Sequence, residues 1–120
     1  MPPTPGFPLT PLTMAILLAL AKGDQHGYAL MQEVEAQTDG AIVAGTGSLY
    51  AALQRLQDDG LIVDSPDRPG AGEDQRRRYF RITDAGRAAA RAEAARMLRV
   101  LETARESRLI PRLGSLRSTR

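Results

Sequence analysis

Three consecutive arginines, Arg76, Arg77 and Arg78, open the segment RRRYFRITDAG at residues 76–86. Upstream, residues 47–62 read GSLYAALQRLQDDGLI and carry Ser48, Tyr50, Gln54 and Arg55 on their polar side. These side chains suit nucleic acid. A guanidinium fork matches phosphate oxygens and the guanine edge, and Gln matches the adenine edge. Thr46, Gly47 and Ser48 begin the helical pattern with hydroxyls and free N–H groups, which reach phosphates or base edges. Each residue alone has an ordinary alternative. Tyr50 packs on its domain, Gln54 and Arg55 are simply solvated, and the arginines guard a sheet edge. Edge protection needs only one or two charges, so three together favour a phosphate role. Glu73 and Asp74 directly precede them and can pair with them when no nucleic acid is bound.

Other chemistries lack their residues. His26 is the only histidine and there is no cysteine, so neither a zinc set nor a disulfide frame can form. A lone His before a helical pattern reads as a cap or turn residue. No nucleophile–base pair is visible, so the sequence predicts a non-enzyme that needs no cofactor and no metal. Gly27 suits a close approach of a helix start to a neighbouring helix, and Tyr28 either presents its hydroxyl to a phosphate or packs inside.

The chain has 120 residues, 42% of them hydrophobic, which is enough for one small domain with a modest core. The net charge is only +2, so the distribution of charge matters more than its total. Fifteen of the 16 basic residues are Arg, a count that a GC-rich genome also raises; the clustering at 76–78 is the sharper signal. The N-terminus lacks the pattern of a secretory signal, and the apolar block at residues 14–21 is too short to span a bilayer. A cytoplasmic protein without membrane contact is expected.

The elements that must position these side chains follow from periodicity. Residues 1–8 carry four prolines and read as an extended arm. Thr10 caps a helix over 11–21 with Pro11 at its first position. A second helix runs from Tyr28 to about Thr38. Thr46 or Ser48 caps a third, whose stripe is Leu49, Leu53 and Leu56, with Gly60 just past its end. Residues 61–63 and 77–82 are strands flanking a tip at 65–75. Alternation places Phe80 and Ile82 inward and Arg77, Tyr79 and Arg81 outward. Thr83 caps a last helix over 84–108, with a seam of Ala90, Ala94, Met97, Leu101 and Ala104 at 4-3-4-3 spacing. So long a helix exceeds what a small domain must cover, and a self-complementary seam closes as a two-fold homodimer.

The expected fold is mainly α with a small β-hairpin (α+β): a winged helix-turn-helix plus a long C-terminal dimerisation helix. The expected organisation is an arm at 1–9, a DNA-binding domain at 10–83, a dimerisation helix at 84–108 and a basic tail at 109–120.

The chain resembles the PadR family of transcriptional regulators. The resemblance rests on HGY at 26–28, GSLYAALQRLQDDGLI at 47–62 and RRRYFRITDAG at 76–86, in that order. It implies a homodimeric repressor of the short type, with a single C-terminal helix, bound to a double-stranded DNA operator. DNA contact then falls to Tyr28, Thr46, Gly47, Ser48, Tyr50, Gln54, Arg55, Arg76, Arg77 and Arg78. Leu12 and Ile16 of the first helix join Ala90, Ala94, Met97, Leu98, Leu101 and Ala104 in the dimer interface. The resemblance also leaves room for an apolar small-molecule effector at Met97, Val100 and Leu101. The chain has no Trp and its last helix has no aromatic residue, so stacking of planar drugs is not provided there. Two rival readings remain: a winged-helix adaptor without DNA binding, and a MarR-like regulator.

Overall fold

A computed structural model describes residues 9–66 and 78–111. Seven elements follow in order: α1 (Pro11–Ala21), β1 (Gln25–His26), α2 (Gly27–Gln37), α3 (Thr46–Asp58), β2 (Ile62–Asp64), β3 (Tyr79–Ile82) and α4 (Asp84–Glu106). The fold is mainly helical with a small antiparallel sheet. The arm at 1–8, the hairpin tip with Arg76 and Arg77, and the tail from 112 onward lie outside the described residues.

Helix α1 begins as its sequence dictates. Thr10 accepts a hydrogen bond from the Thr13 N–H, and Pro11 occupies the first turn, where an N–H would have no partner. Seven of its 11 residues are buried, because α2, α3, α4 and β3 all pack around it. A helix apolar on most sides belongs at the centre of a fold. Ile16, Leu17, Leu30, Leu53, Leu61 and Phe80 build the core around it. Leu9, assigned by sequence to the arm, is buried in this core as well.

Helix α3 ends where Gly60 takes φ +76, in the left-handed region. The Gly60 N–H donates to the Gln57 carbonyl at 3.0 Å and the Leu61 N–H to the Leu56 carbonyl at 2.9 Å. This paired closure satisfies carbonyls that would otherwise be orphaned and turns the chain into β2.

The sheet departs from expectation in three ways. It has three strands in the order β1-β3-β2, because Gln25 and His26 pair with Phe80 and Tyr79. Two residues carry too little periodicity to register as a strand. The second strand begins one residue later than expected, at Ile62. Tyr79, expected outward, is buried with its ring edge-on to His26 at 5.2 Å. The extra strand creates a covered surface where a two-stranded hairpin would have been open.

Helix α4 starts against the sheet, with Thr83 accepting from the Gly86 N–H at 3.0 Å. A Cβ on Gly86 would collide with the Leu61 carbonyl and lie 2.7 Å from Ile82 Cγ1, so only glycine permits this approach. Gly86, Ala89, Ala90 and Glu93 are buried, and no residue from Ala94 to the end of the helix is. The helix is 23 residues long, ending at Glu106 and not at Arg108. Arg108 takes φ 63, which terminates it.

Candidate nucleic-acid interface

The N-terminus of α3 is open. Gly45 is its N-cap and no side chain caps it; Thr46 and Ser48, the expected caps, lie inside the first turn. Thr46, Gly47 and Ser48 are all exposed. The first-turn N–H groups of a helix have no intrahelical acceptors and carry the positive end of its dipole, so this end attracts an oxyanion.

Leu49, Leu53 and Leu56 bury one stripe of α3 in the core. The opposite stripe presents Gly47, Tyr50, Ala51, Gln54 and Asp58. Ala51 was not singled out from sequence, yet its small side chain lies between Gly47 and Gln54 on the exposed face. The Gln54 amide donates to Asp58 at 2.9 Å, which orients it along the helix. Arg55 is exposed on the adjoining side.

Helix α2 starts against the Tyr50 side chain of α3. His26 caps α2, its Nδ1 accepting from the Ala29 N–H at 3.2 Å. The lone histidine is thus a capping residue, as its place before the helix predicts. Gly27 is buried under Tyr50, and a Cβ there would lie 2.8 Å from Tyr50 Cζ and closer still to its hydroxyl. The contact carries the Tyr50 ring across to the α2 start, where Tyr28 is 57% exposed. Tyr28 receives a long hydrogen bond from Gln32 at 3.4 Å. Tyr50 packs on Gly27, as the packing reading expects, and is 40% exposed.

At the other end of α3, the wing base is tied down by charge. The Arg78 guanidinium donates to Asp64 at 2.7 Å and to Gln57 at 3.4 Å, and lies 4.9 Å above the Phe80 ring. Gln57 also donates to Asp64 at 3.0 Å. The partner expected for the arginines was Glu73 or Asp74, both outside the described residues; Asp64 is the carboxylate seen. Arg81, expected to face solvent freely, is half-buried and bonds Asp24 through Nε at 3.1 Å and Nη2 at 2.9 Å. Ser65 donates to the same carboxylate. Burial pushes the Asp24 carboxyl up, but hydrogen bonds from Arg81 and Ser65 and the guanidinium charge outweigh it, leaving it below its ordinary value. Arg81 therefore anchors the sheet to the α1–α2 turn, a role that spacing alone could not reveal.

The expected dimer residues divide. Ile16 is 0% exposed inside its own core and Ala90 is also buried, so neither offers surface to a partner. The core claims them because α4 begins by packing on α1. Leu12 is half-buried. Met97, Leu98 and Leu101 are exposed, Ala94 is exposed and Ala104 is half-exposed.

The expected effector residues also separate. A cavity of about 340 Å³ lies between α1, the end of α2 and α4, and Met97 lines it. Val100 and Leu101 are not among its lining residues. Leu101 lines a smaller hollow near Pro111. Val100 and Leu101 sit about one turn further along α4 than Met97, beyond the last buried position of the helix, Glu93.

Residues 16–92 match the transcriptional regulator PadR-like family. The chain is 42% identical over 87 residues to a 37.1 kDa transposon protein of Streptomyces fradiae. That match takes in 72% of this chain and only 23% of the relative. A transcriptional regulator from Clostridium thermocellum superposes with a TM-score of 0.65 at 27% identity, over 79% of this chain and 87% of that one. Bacillus subtilis PadR in complex with operator DNA superposes with a TM-score of 0.57 at 25% identity, over 71% of this chain and 47% of that one.

Proposed function

This chain belongs to the PadR-like family of transcriptional regulators, and from that premise we propose that it is a homodimeric repressor that binds double-stranded operator DNA. The observation that carries this reading is α3. Its uncapped start and its exposed stripe of Gly47, Tyr50 and Gln54, with Arg55 on the adjoining side, form a polar helix face. The major groove admits an α-helix, and such side chains then meet base edges. The free N–H groups at Thr46, Gly47 and Ser48, with the Tyr28 hydroxyl, take phosphates. Gln54 and Arg55 read base edges. Arg76, Arg77 and Arg78 hold the backbone beside the groove. The relative solved with its operator supports DNA as the ligand class.

The dimer reading rests on α4. Its exposed half carries Met97, Leu98 and Leu101 on a helix roughly 35 Å long. Pairing this stripe with its copy removes apolar surface from water and spaces two α3 helices for half-sites about one turn apart. An apolar effector that shifts α4 against α1 would alter that spacing and release the operator. The organisation that follows is a DNA-binding unit over 10–83 and a dimerisation helix from 84.

Sedimentation velocity on Leu101→Asp tests the assembly. The expected result is a monomer, because a charge in an apolar seam loses hydration without gaining a partner. A dimer that persists at low micromolar concentration removes α4 from the interface. Footprinting then asks whether the wild-type protein protects two half-sites one turn apart; a single protected patch contradicts the dimeric mode.

A further inference from the structure

His26 belongs to two elements at once. As the last residue of β1 it pairs with Tyr79 of β3, and as the N-cap of α2 its Nδ1 accepts from the Ala29 N–H at 3.2 Å. The ring also stands edge-on to Tyr79 at 5.2 Å. Only a neutral imidazole can accept at Nδ1, so the capping form carries its proton on Nε2. An imidazolium donates from both nitrogens. It would lose the cap and set a positive charge at the positive end of the α2 dipole. Ser, Thr, Asp and Asn, the usual caps, keep their acceptor in mild acid; a histidine cap does not.

This joint carries side chains assigned to DNA. Gly27 follows His26 and is buried under the Tyr50 ring of α3, and Tyr28, 57% exposed, comes next. Loss of the cap frees the first turn of α2 and with it the surface on which Tyr50 rests. The groups around the joint do not share its titration. Strand β3 brings Tyr79 and Arg81, and Arg81 is held by Asp24. Arg78, just before β3, is turned to Asp64. Helix α2 brings Tyr28, bonded to Gln32, and Glu33, paired with Lys22; α3 brings Tyr50. Phenols, guanidinium groups and paired carboxylates ordinarily keep their charge state between about pH 5 and 8. His26 is the single histidine of a chain without cysteine, so it is the side chain that ordinarily changes charge there.

We propose that His26 is a positioning residue for DNA binding that works only as the neutral imidazole, so that operator affinity falls as pH drops from about 7.5 to about 5.5. The inference rests on the reading of α3 as the DNA-contacting helix. Protonation releases the Ala29 N–H, the start of α2 loosens, and the Tyr28 hydroxyl and the Tyr50 ring lose their fixed places. A cationic ring lying against a phosphate would act in the opposite sense and strengthen binding in acid. The sign of the pH dependence therefore separates a capping role from a direct contact. A regulator built this way releases its operator in acid without any bound small molecule.

The test compares the full chain with its His26→Asn and His26→Ala variants. Asn caps a helix and does not titrate, while Ala supplies no acceptor. Affinity for promoter DNA is read by fluorescence anisotropy at fixed ionic strength across the same pH range. Wild-type affinity should fall about three- to fivefold, the size of a lost cap written as a ratio of affinities. His26→Asn should match the wild type near neutral pH and lose the pH dependence, and His26→Ala should bind weakly throughout. The N-terminal amine titrates alike in all three proteins and does not separate them. Wild-type affinity that rises in acid, or a pH profile that His26→Asn retains, overturns the proposal. NMR on the DNA-free protein reads the joint without an operator. The Ala29 amide and the Tyr50 ring signals should shift with the midpoint of the His26 ring protons. Signals that stay fixed while His26 titrates overturn the proposal, as does a His26 ring that takes up no proton in this range. Absence of DNA binding by all three proteins at every pH, with the Ala29 and Tyr50 signals moving as expected, overturns the DNA-binding reading and keeps the joint.

Discussion

Arg78 donates to Asp64 at 2.7 Å across the wing base, with Gln57 of α3 bonded to the same carboxylate. The arginine that should meet a phosphate is thus held by a carboxylate in the free protein. Both side chains are more than half exposed, so the pair contributes little to stability, and exchange of one oxyanion for another is inexpensive. Asp64→Ala should raise affinity for all DNA sequences about two- to fivefold, because exposed pairs are worth up to about 1 kcal/mol. Arg78→Ala should lower affinity on all sequences and reduce the salt slope by about 0.9. Both are read by titration at several salt concentrations. An unchanged slope in Arg78→Ala removes this residue from phosphate contact.

Gln54 is exposed at mid-helix and oriented by Asp58. Gln54→Ala should cost roughly 1–3 kcal/mol on the operator and much less on scrambled DNA, since a bidentate base contact is lost. Competition binding with both duplexes checks this. Equal losses on the two would show that Gln54 does not read bases.

Two glycines separate binding from stability. Gly86 abuts the backbone carbonyl of Leu61, which cannot move without shifting the sheet. Gly86→Ala should destabilise the fold by about 1–3 kcal/mol in urea unfolding, as overpacked sites do. Gly27 abuts the end of the Tyr50 side chain, which can swing away. Gly27→Ala should cost less stability but displace Tyr50 and weaken operator binding. A Gly27→Ala protein with unchanged operator affinity would show that the position of Tyr50 is immaterial to binding.

Asp24 gives the fold an acid-sensitive joint. Its carboxyl is held below the ordinary value of 3.8, so its charged form is stabilised by folding. That stabilisation is complete above the unfolded value and is lost as pH falls through the lowered folded one. Stability should therefore decline below about pH 4 in the wild type, and Asp24→Asn should flatten that decline while reducing stability at neutral pH. Thermal melts across pH 2–7 measure both effects. A wild-type and mutant decline of equal steepness would show that the Arg81–Asp24 bond does not couple to folding.

Much of this was legible in the residues. Pro11, Gly60 and Thr83 mark boundaries by chemistry that acts locally, so α1, the end of α3 and the start of α4 follow from sequence. The stripe Leu49, Leu53 and Leu56 fixes which face of α3 is free. What escaped depends on contacts distant in sequence. Strand β1 exists only because Gln25 and His26 meet β3, and that meeting turns Tyr79 inward and gives Arg81 a partner 57 residues away. Ile16 and Ala90 carry the same apolar character whether they face a core or a partner, so periodicity could not separate the two roles. Glu93 reads as one more surface charge on a polar helix until α1 is seen against it.

The most direct test of the central claim is fluorescence anisotropy of the full chain on DNA from its own promoter and on a scrambled duplex, across a salt series. Specific binding at least about a thousandfold tighter than to the scrambled duplex, with a steep negative salt slope on both, is the predicted result. Equal affinity for the two duplexes, or no binding at low salt, would contradict a sequence-specific regulator and favour a winged-helix adaptor.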